Sequence, residues 1–176
     1  SHIERELKIL GHTVNVADVY GAEQLINAAA SLSSKSFDFV IVVAHGFTHQ
    51  GKFNIEISPE DEDGSAYLND SSLIESIFKD VMKTHKIFIV CEGLNSEMLA
   101  SLNLGTYLNP VNEESVLIAK KTKVYPDEAI EFIKKLFQNL ISGGHPSNKE
   151  VIKSFNISKP SDEWSVSEGI NIKREP

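Results

Sequence analysis

The chain has 176 residues and a formal net charge of −8 at pH 7, with 41% of its residues hydrophobic and 24% charged. These values are typical of one globular domain with a sizeable core, which we expect to span residues 1–176. The acidic balance argues against nucleic-acid binding and against binding to anionic membranes, because both kinds of surface need clustered Lys and Arg.

The apolar runs and the single cysteine narrow the class of protein further. The longest runs, such as residues 39–44, are far shorter than the ~18 residues that a transmembrane helix needs. The single cysteine, Cys91, cannot form an internal disulfide, which suits a reducing compartment. We therefore expect a cytoplasmic protein that does not associate with membranes.

Periodic apolar residues predict helices and strands in alternation along the chain. In the first half, the predicted elements are a helix over residues 3–10 that stops at Gly11, a strand over 13–19, a helix over 22–32, a buried strand over 37–44 and a short strand over 53–57. In the second half, they are a helix over 73–82, a buried strand over 87–90, a short helix over 96–104, a strand over 115–119, a helix over 126–141 and a short helix over 147–155. A polar tail follows from residue 157, in which residues 164–172 have strand character.

This alternation predicts a three-layer α/β sandwich with a mostly parallel sheet. The runs over residues 37–44 and 87–90 are apolar at nearly every position, as in strands that are covered on both faces. The chain opens on a helix, whereas such folds usually open on a strand. The prediction therefore leaves room for a first strand upstream of Ser1.

One reactive side chain stands at the end of each of two buried strands. His45 and Gly46 follow the run over residues 37–44, and Cys91 ends the run that begins at Lys86. The carboxyl ends of parallel strands share one edge of a sheet, and neighbouring strands are ~4.8 Å apart, so imidazole and thiol can approach each other there. His45 would then convert Cys91 to a thiolate, and the amides of Gly46 and Cys91 would form an oxyanion hole.

Each of these residues also has a simpler interpretation. A cysteine that ends an apolar strand is often a packed small hydrophobe, and a histidine after a strand is often an ordinary loop residue. The joint placement of His45 and Cys91 favours the catalytic pair. His49 lies four residues after His45, but this spacing is a weak indication of a metal site, and no second cysteine supports zinc. We therefore expect no metal and no other cofactor.

Acidic residues lie near the proposed pair in the sequence. Those of an acidic loop and of the cysteine segment are Glu60, Asp61, Asp63 and Glu92. They form a candidate surface for selecting a basic peptide substrate, although a solvated loop is the commoner role of such a cluster. Asp38 and Glu92 are candidates for orienting His45. Trp164, in the polar tail, either packs against the domain or stacks on a partner.

Both strand segments resemble those of the caspase-like cysteine peptidases, most closely the bacterial CHAT domain branch of that clan. The matching pieces are residues 37–46, the hairpin after them, residues 86–93, and residues 115–155, in which a strand leads to a Pro-Asp helix start, a long helix and a Gly-Gly stop. The resemblance covers roughly residues 10–155, which would form the core, and leaves 157–176 as a tail.

The resemblance implies a cysteine endopeptidase, a thiol protease and hence a hydrolase, with Cys91 as nucleophile and His45 as general acid/base. It also implies a peptide or protein substrate, and a place in a larger regulated protein with further domains or a regulatory partner. Many relatives carry an acidic or small residue just before the cysteine, where this chain has Ile89 and Val90. The alternative is a non-catalytic caspase-like interaction module, a pseudo-protease that has kept the fold without the activity.

Overall fold

The computed structural model describes residues 2–19, 22–34, 37–49, 52–56, 67–68, 84–91, 115–140 and 144–168. We number the elements of these ranges in chain order. The helices are α1 (His2–Ile9), α2 (Ala22–Ser34), α3 (Pro126–Gln138) and α4 (Asn148–Ser158). The strands are β1 (Phe39–His49), β2 (Lys52–Glu56), β3 (Tyr67–Leu68), β4 (His85–Val90), β5 (Val116–Lys120) and β6 (Trp164–Glu168).

Strand β4 lies inside the sheet between two parallel neighbours. The strand order is β3-β2-β1-β4-β5-β6. β4 pairs in parallel with β1 and with β5, while β6 forms an antiparallel edge beside β5. β2 and β3 add antiparallel strands beside the carboxyl end of β1. The predicted α/β class is confirmed, with β1, β4, β5 and β6 forming a mostly parallel open sheet.

The central strand is buried on both faces, which explains its continuous apolar sequence. Ile87 and Ile89 of β4 belong to the core cluster that contains the apolar face of α3. Phe88 and Val90 alternate with them, so they belong to the opposite face of the sheet, and they are buried as well. A strand with two covered faces leaves no position for a solvated side chain.

Helix α3 supplies the largest part of the core on the first face. Pro126 stands in its first turn, where a missing N–H costs nothing, and Asp127 and Glu128 place negative charge near the positive end of the helix dipole. Its buried side chains are Ala129, Phe132, Ile133, Leu136 and Phe137. α1 and α4 pack against it. The helix was predicted over residues 126–141 and ends at Gln138.

The first helix stops at the predicted glycine. Gly11 has a φ of +89°, a conformation in which a Cβ atom would be strained. The N–H of His12 donates to the carbonyl oxygen of Leu7 at 3.0 Å, and the N–H of Gly11 donates to that of Lys8 at 3.0 Å. These two bonds form a Schellman motif, which satisfies the last carbonyls of α1.

Two strand predictions need correction. Residues 13–19 do not form a strand, because no strand in the described part of the chain lies beside them to complete the ladder. Val14 nevertheless packs against the core, while Val16 is exposed. β1, in contrast, runs to His49, well beyond the predicted end at residue 44, because its last five residues pair with β2.

The polar tail contributes a strand and a core side chain. Trp164 opens β6 and is 2% exposed, with its ring centroid 4.5 Å from that of Phe132. It therefore packs into the domain. Leu7 is also a core residue, so the observed core extends beyond residues 10–155 in both directions.

Some predicted elements lie outside the described residues, namely the helices over 73–82 and 96–104. No helix in the ranges that the structure describes is long and apolar enough to cross a membrane.

Candidate functional site

Cys91 is held by its backbone at the carboxyl edge of the sheet. It is the first residue after β4, and its side chain is partly exposed. Its N–H donates to the carbonyl oxygen of Ala44 in β1 at 3.1 Å, and its own carbonyl oxygen accepts from the N–H of Val124 at 2.8 Å. The Cα atom of Cys91 is therefore held from β1 on one side and from the segment that follows β5 on the other, and its side chain remains partly exposed.

The backbone of His45 lies beside this position. The parallel register pairs Val43 with Ile89 and Ala44 with Val90. The next positions along the two strands are 45 and 91, so the backbones of the two predicted residues lie side by side at one edge of the sheet.

The setting of His45 differs from the prediction. His45 and Gly46 were expected to follow the strand, but both lie within β1, where they pair with Glu56 and Ile55 of β2. β1 pairs with β4 up to Ala44, where β4 ends, and with β2 from His45 onward. His45 is thus carried on a paired strand rather than on a loop.

The two predicted oxyanion donors, the amides of Cys91 and Gly46, have different surroundings. The Cys91 N–H is engaged by Ala44, so this bond must be released or shared before the amide can bind an oxyanion. Gly46 lies in the β1–β2 ladder, one position beyond His45.

The predicted substrate-binding residues Glu60, Asp61, Asp63 and Glu92 lie outside the described residues. Asp38, a candidate for orienting His45, is described and lies at the opposite edge of the sheet. It precedes β1, and six residues of strand lie between it and His45, a separation of about 23 Å. Asp38 instead bonds to His145, with its Oδ1 2.8 Å from Nδ1. It cannot orient His45.

A buried lysine holds the turn that contacts Cys91. Lys120 ends β5 and is 6% exposed. Its Nζ donates to the carbonyl oxygen of Lys123 at 2.8 Å and to Oε2 of Glu128 at 3.0 Å. Glu128 also accepts from Nε1 of Trp164 at 2.8 Å. Residues 121–125, which include Val124, are therefore tied to the starts of α3 and β6.

The charge of Glu128 is stabilised by these contacts. Burial alone would raise the pKa of its carboxyl group, but the hydrogen bonds from Trp164 and Lys120 hold that pKa below its usual value. One sequence signal marks this group, a lysine at the end of an apolar strand, but Glu128 and Trp164 lie 8 and 44 residues beyond that lysine.

A second polar cluster lies at the amino edge of the sheet, away from Cys91. Nδ1 of His85 accepts from the N–H of Val116 at 3.1 Å, so Nε2 carries the proton and donates to the carbonyl oxygen of Pro146 at 2.7 Å. His145 stacks on this ring, with centroids 4.9 Å apart. Burial lowers the pKa of His85 to about 4. This histidine is neutral and structural.

Lys86, the next residue of β4, is buried without a carboxylate partner among the described residues. It is 3% exposed, and its Nζ donates to the carbonyl oxygen of Thr84 at 3.3 Å. Burial lowers its pKa to about 8.

The described residues contain no group of three His, Cys, Asp or Glu side chains that could hold a metal ion. A scan against models of protein families and a search of curated proteins both found no match to this chain.

Proposed function

We propose that this chain is a cysteine endopeptidase of the caspase-like type, in which Cys91 is the nucleophile and His45 the general acid/base. One observation carries the proposal. The register of β1 on β4 makes positions 45 and 91 neighbours at the carboxyl edge of a parallel sheet, where the active sites of α/β folds assemble.

The chemistry needs no cofactor. His45 accepts the proton of the Cys91 thiol, and the thiolate attacks the scissile carbonyl carbon to form a tetrahedral oxyanion. The C–N bond then breaks, and His45 returns the proton to the leaving amine. A water molecule, deprotonated by His45, hydrolyses the thioester and regenerates the thiol. The N–H of Gly46 is the other proposed oxyanion donor, and that of Cys91 would have to leave the carbonyl oxygen of Ala44 to join it.

The substrate is a peptide or protein segment, and the acidic residues Glu60, Asp61, Asp63 and Glu92 are candidates for selecting a basic side chain. A thiol nucleophile functions in a reducing compartment, which fits a cytoplasmic protein. The resemblance to CHAT domains supports a role within a larger, regulated protein.

The engaged amide of Cys91 favours one alternative, a non-catalytic interaction module with the same fold. A site that keeps the nucleophile but has lost an oxyanion donor loses roughly 100- to 1000-fold in rate. The backbone bond from Cys91 to Ala44 is the specific observation in favour of this alternative.

The rate of Cys91 alkylation by iodoacetamide as a function of pH tests the pair. The variants are His45→Ala and, as a matched control on the same strand, His49→Ala. In the wild type and in His49→Ala, alkylation should stay fast near pH 6, where a free thiol with a pKa of about 8.5 is almost wholly protonated. In His45→Ala, the rate near pH 6 should fall by at least about tenfold, since the imidazole that accepts the thiol proton is gone.

A rate that is slow in the wild type and unchanged in His45→Ala would overturn the catalytic pair and favour the interaction module. An equal loss in His49→Ala would instead assign the effect to strand β1 as a whole. If the pair is confirmed, a peptide library identifies the side chain before the cleaved bond.

A further inference from the structure

We propose that Lys120 is a positioning residue for Cys91, acting through the turn of residues 121–125. Its significance for catalysis rests on the proposed function, but the contact path itself is a property of the fold. The path runs from the Lys120 ammonium to the carbonyl of Lys123, then across the same peptide group to the N–H of Val124, which donates to the carbonyl oxygen of Cys91.

Every step of this path is short and mostly buried. The Lys120 Nζ to Lys123 oxygen distance is 2.8 Å, and the Val124 nitrogen to Cys91 oxygen distance is also 2.8 Å. Val124 is 4% exposed and belongs to the core cluster, so its amide cannot turn toward another acceptor without moving a core side chain. The turn therefore has one packed arrangement in which Val124 reaches Cys91.

The far side of the turn is anchored as well. The N–H of Lys121 donates to the carbonyl oxygen of Glu163 at 3.1 Å, and Oγ1 of Thr122 donates to Oε2 of the same residue at 2.9 Å. These contacts are at the surface, where a hydrogen bond competes with water and fixes little. Lys120 is the buried member of the group, and its partly buried contacts are less open to that competition.

A buried ammonium group at this position is costly in free energy, because its charge is removed from water. Removing a charge from water costs free energy that its ion pair rarely recovers in full, and replacing both members of such a pair by apolar side chains of similar size often gives equal or greater stability. What the apolar side chain lacks is a directed donor. Lys120 has three N–H groups, and it uses them on the Lys123 carbonyl and on the Glu128 carboxylate, which fixes the turn relative to α3.

Positioning matters at Cys91 because a thiolate must meet a carbonyl carbon and an imidazole at once. A misplacement of about 1 Å can cost 100-fold in rate when reacting groups are held by the fold. The Ala44 bond fixes Cys91 relative to β1, and the Val124 bond fixes it relative to β5. Lys120 maintains the second of these two restraints.

The test uses the whole chain and two measurements. The variants are Lys120→Met, the double variant Lys120→Met/Glu128→Gln, and Ser154→Ala as a control. The Ser154 hydroxyl donates to the carbonyl oxygen of Leu136 between α4 and α3, so its loss lowers stability without touching the turn. The first measurement is amide hydrogen exchange of Val124 relative to Ile133 in α3. The second is the pH profile of Cys91 alkylation.

In Lys120→Met, the exchange of Val124 relative to Ile133 should rise about fivefold or more, the factor expected when one net hydrogen bond is lost. The pH profile of Cys91 alkylation should shift in the same variant, while both measurements stay at wild-type values in Ser154→Ala. The double variant removes both charges of the Lys120–Glu128 ion pair, and it is measured in the same way if Lys120→Met alone does not fold.

The proposal is overturned if the exchange of Val124 in the Lys120 variants matches that in Ser154→Ala, or if their alkylation profile does so while that of His45→Ala departs from the wild type. Failure of the catalytic pair has a different signature, which is an unchanged alkylation profile in His45→Ala. The two proposals can therefore fail separately.

Discussion

The N–H of Cys91 donates a hydrogen bond of 3.1 Å to the carbonyl oxygen of Ala44. This bond continues the parallel ladder of β1 and β4 by one residue after β4 has ended. It sets the register that makes His45 the neighbour of Cys91. It also engages an amide that the sequence predicted as an oxyanion donor, so the same bond supports the catalytic pair and restricts its machinery.

The bond from Cys91 to Ala44 predicts a protected amide. By nuclear magnetic resonance, the Cys91 N–H should exchange with solvent at least about 100-fold more slowly than an unprotected amide. The N–H of Asp127 is a suitable reference, because amides in the first turn of a helix have no acceptor within it. If the Cys91 N–H exchanged as fast as that of Asp127, the bond to Ala44 would be contradicted. The Cys91 amide would then be free to act as an oxyanion donor.

The lowered pKa of buried His85 leads us to expect that the folded protein is less stable in mild acid. Burial lowers its pKa to about 4 from the usual value of 6.5, so between these pH values the unfolded chain binds a proton that the folded chain does not. Stability should therefore fall as pH falls from 6.5 toward 4, by at most about 3 kcal/mol from this residue. Protonation of Nδ1 would also break the bond from the Val116 N–H.

Urea unfolding at several pH values measures this effect in the wild type, in His85→Gln and in His2→Gln, an exposed control on α1. Stability should depend less on pH between 6.5 and 4 in His85→Gln than in the other two proteins. The imidazole resonances of His85 should show a neutral ring with the proton on Nε2. A His85 resonance that titrates near pH 6.5 would disprove the interpretation.

The buried charge of Lys86 leads us to expect that an apolar substitution at this position stabilises the protein. Its pKa is lowered to about 8 because the charged form is penalised by burial, and this penalty is fully present at pH 7. Lys86→Met should raise the free energy of unfolding at pH 7 by about 2 kcal/mol, since the shift corresponds to about 3 kcal/mol and one hydrogen bond to Thr84 is lost.

The gain from Lys86→Met should shrink as pH rises from 8 to 10.5, because the wild type gains stability as its folded form loses the proton first. Urea unfolding at pH 7 and at about pH 10.5 measures both values. Lys120→Met is the matched control. Lys120 has a carboxylate partner in Glu128, so its removal should not stabilise the protein. A Lys86→Met protein that is less stable than wild type at pH 7 would refute the prediction.

The sequence determined the elements whose cause is local. A run that is apolar at every position predicted the buried strand β4, and helical spacing with a Pro-Asp start predicted α3. Gly11 predicted the end of α1, because its positive φ suits a residue without Cβ. The sequence also placed one reactive side chain directly after each of two apolar runs, and the strands that contain these runs prove to be neighbours.

Tertiary structure alone decided the features that depend on partners distant in the chain. Whether residues 13–19 and 45–49 form strands depended on the presence of a neighbouring strand, since a strand is stabilised by hydrogen bonds to another segment, and only the second range has one among the described residues. The engaged amide of Cys91 and the contacts of Lys120 have the same origin. The fold brings Cys91 and Lys120 close to partners that are distant in the chain, and no periodic pattern in the sequence predicts these contacts.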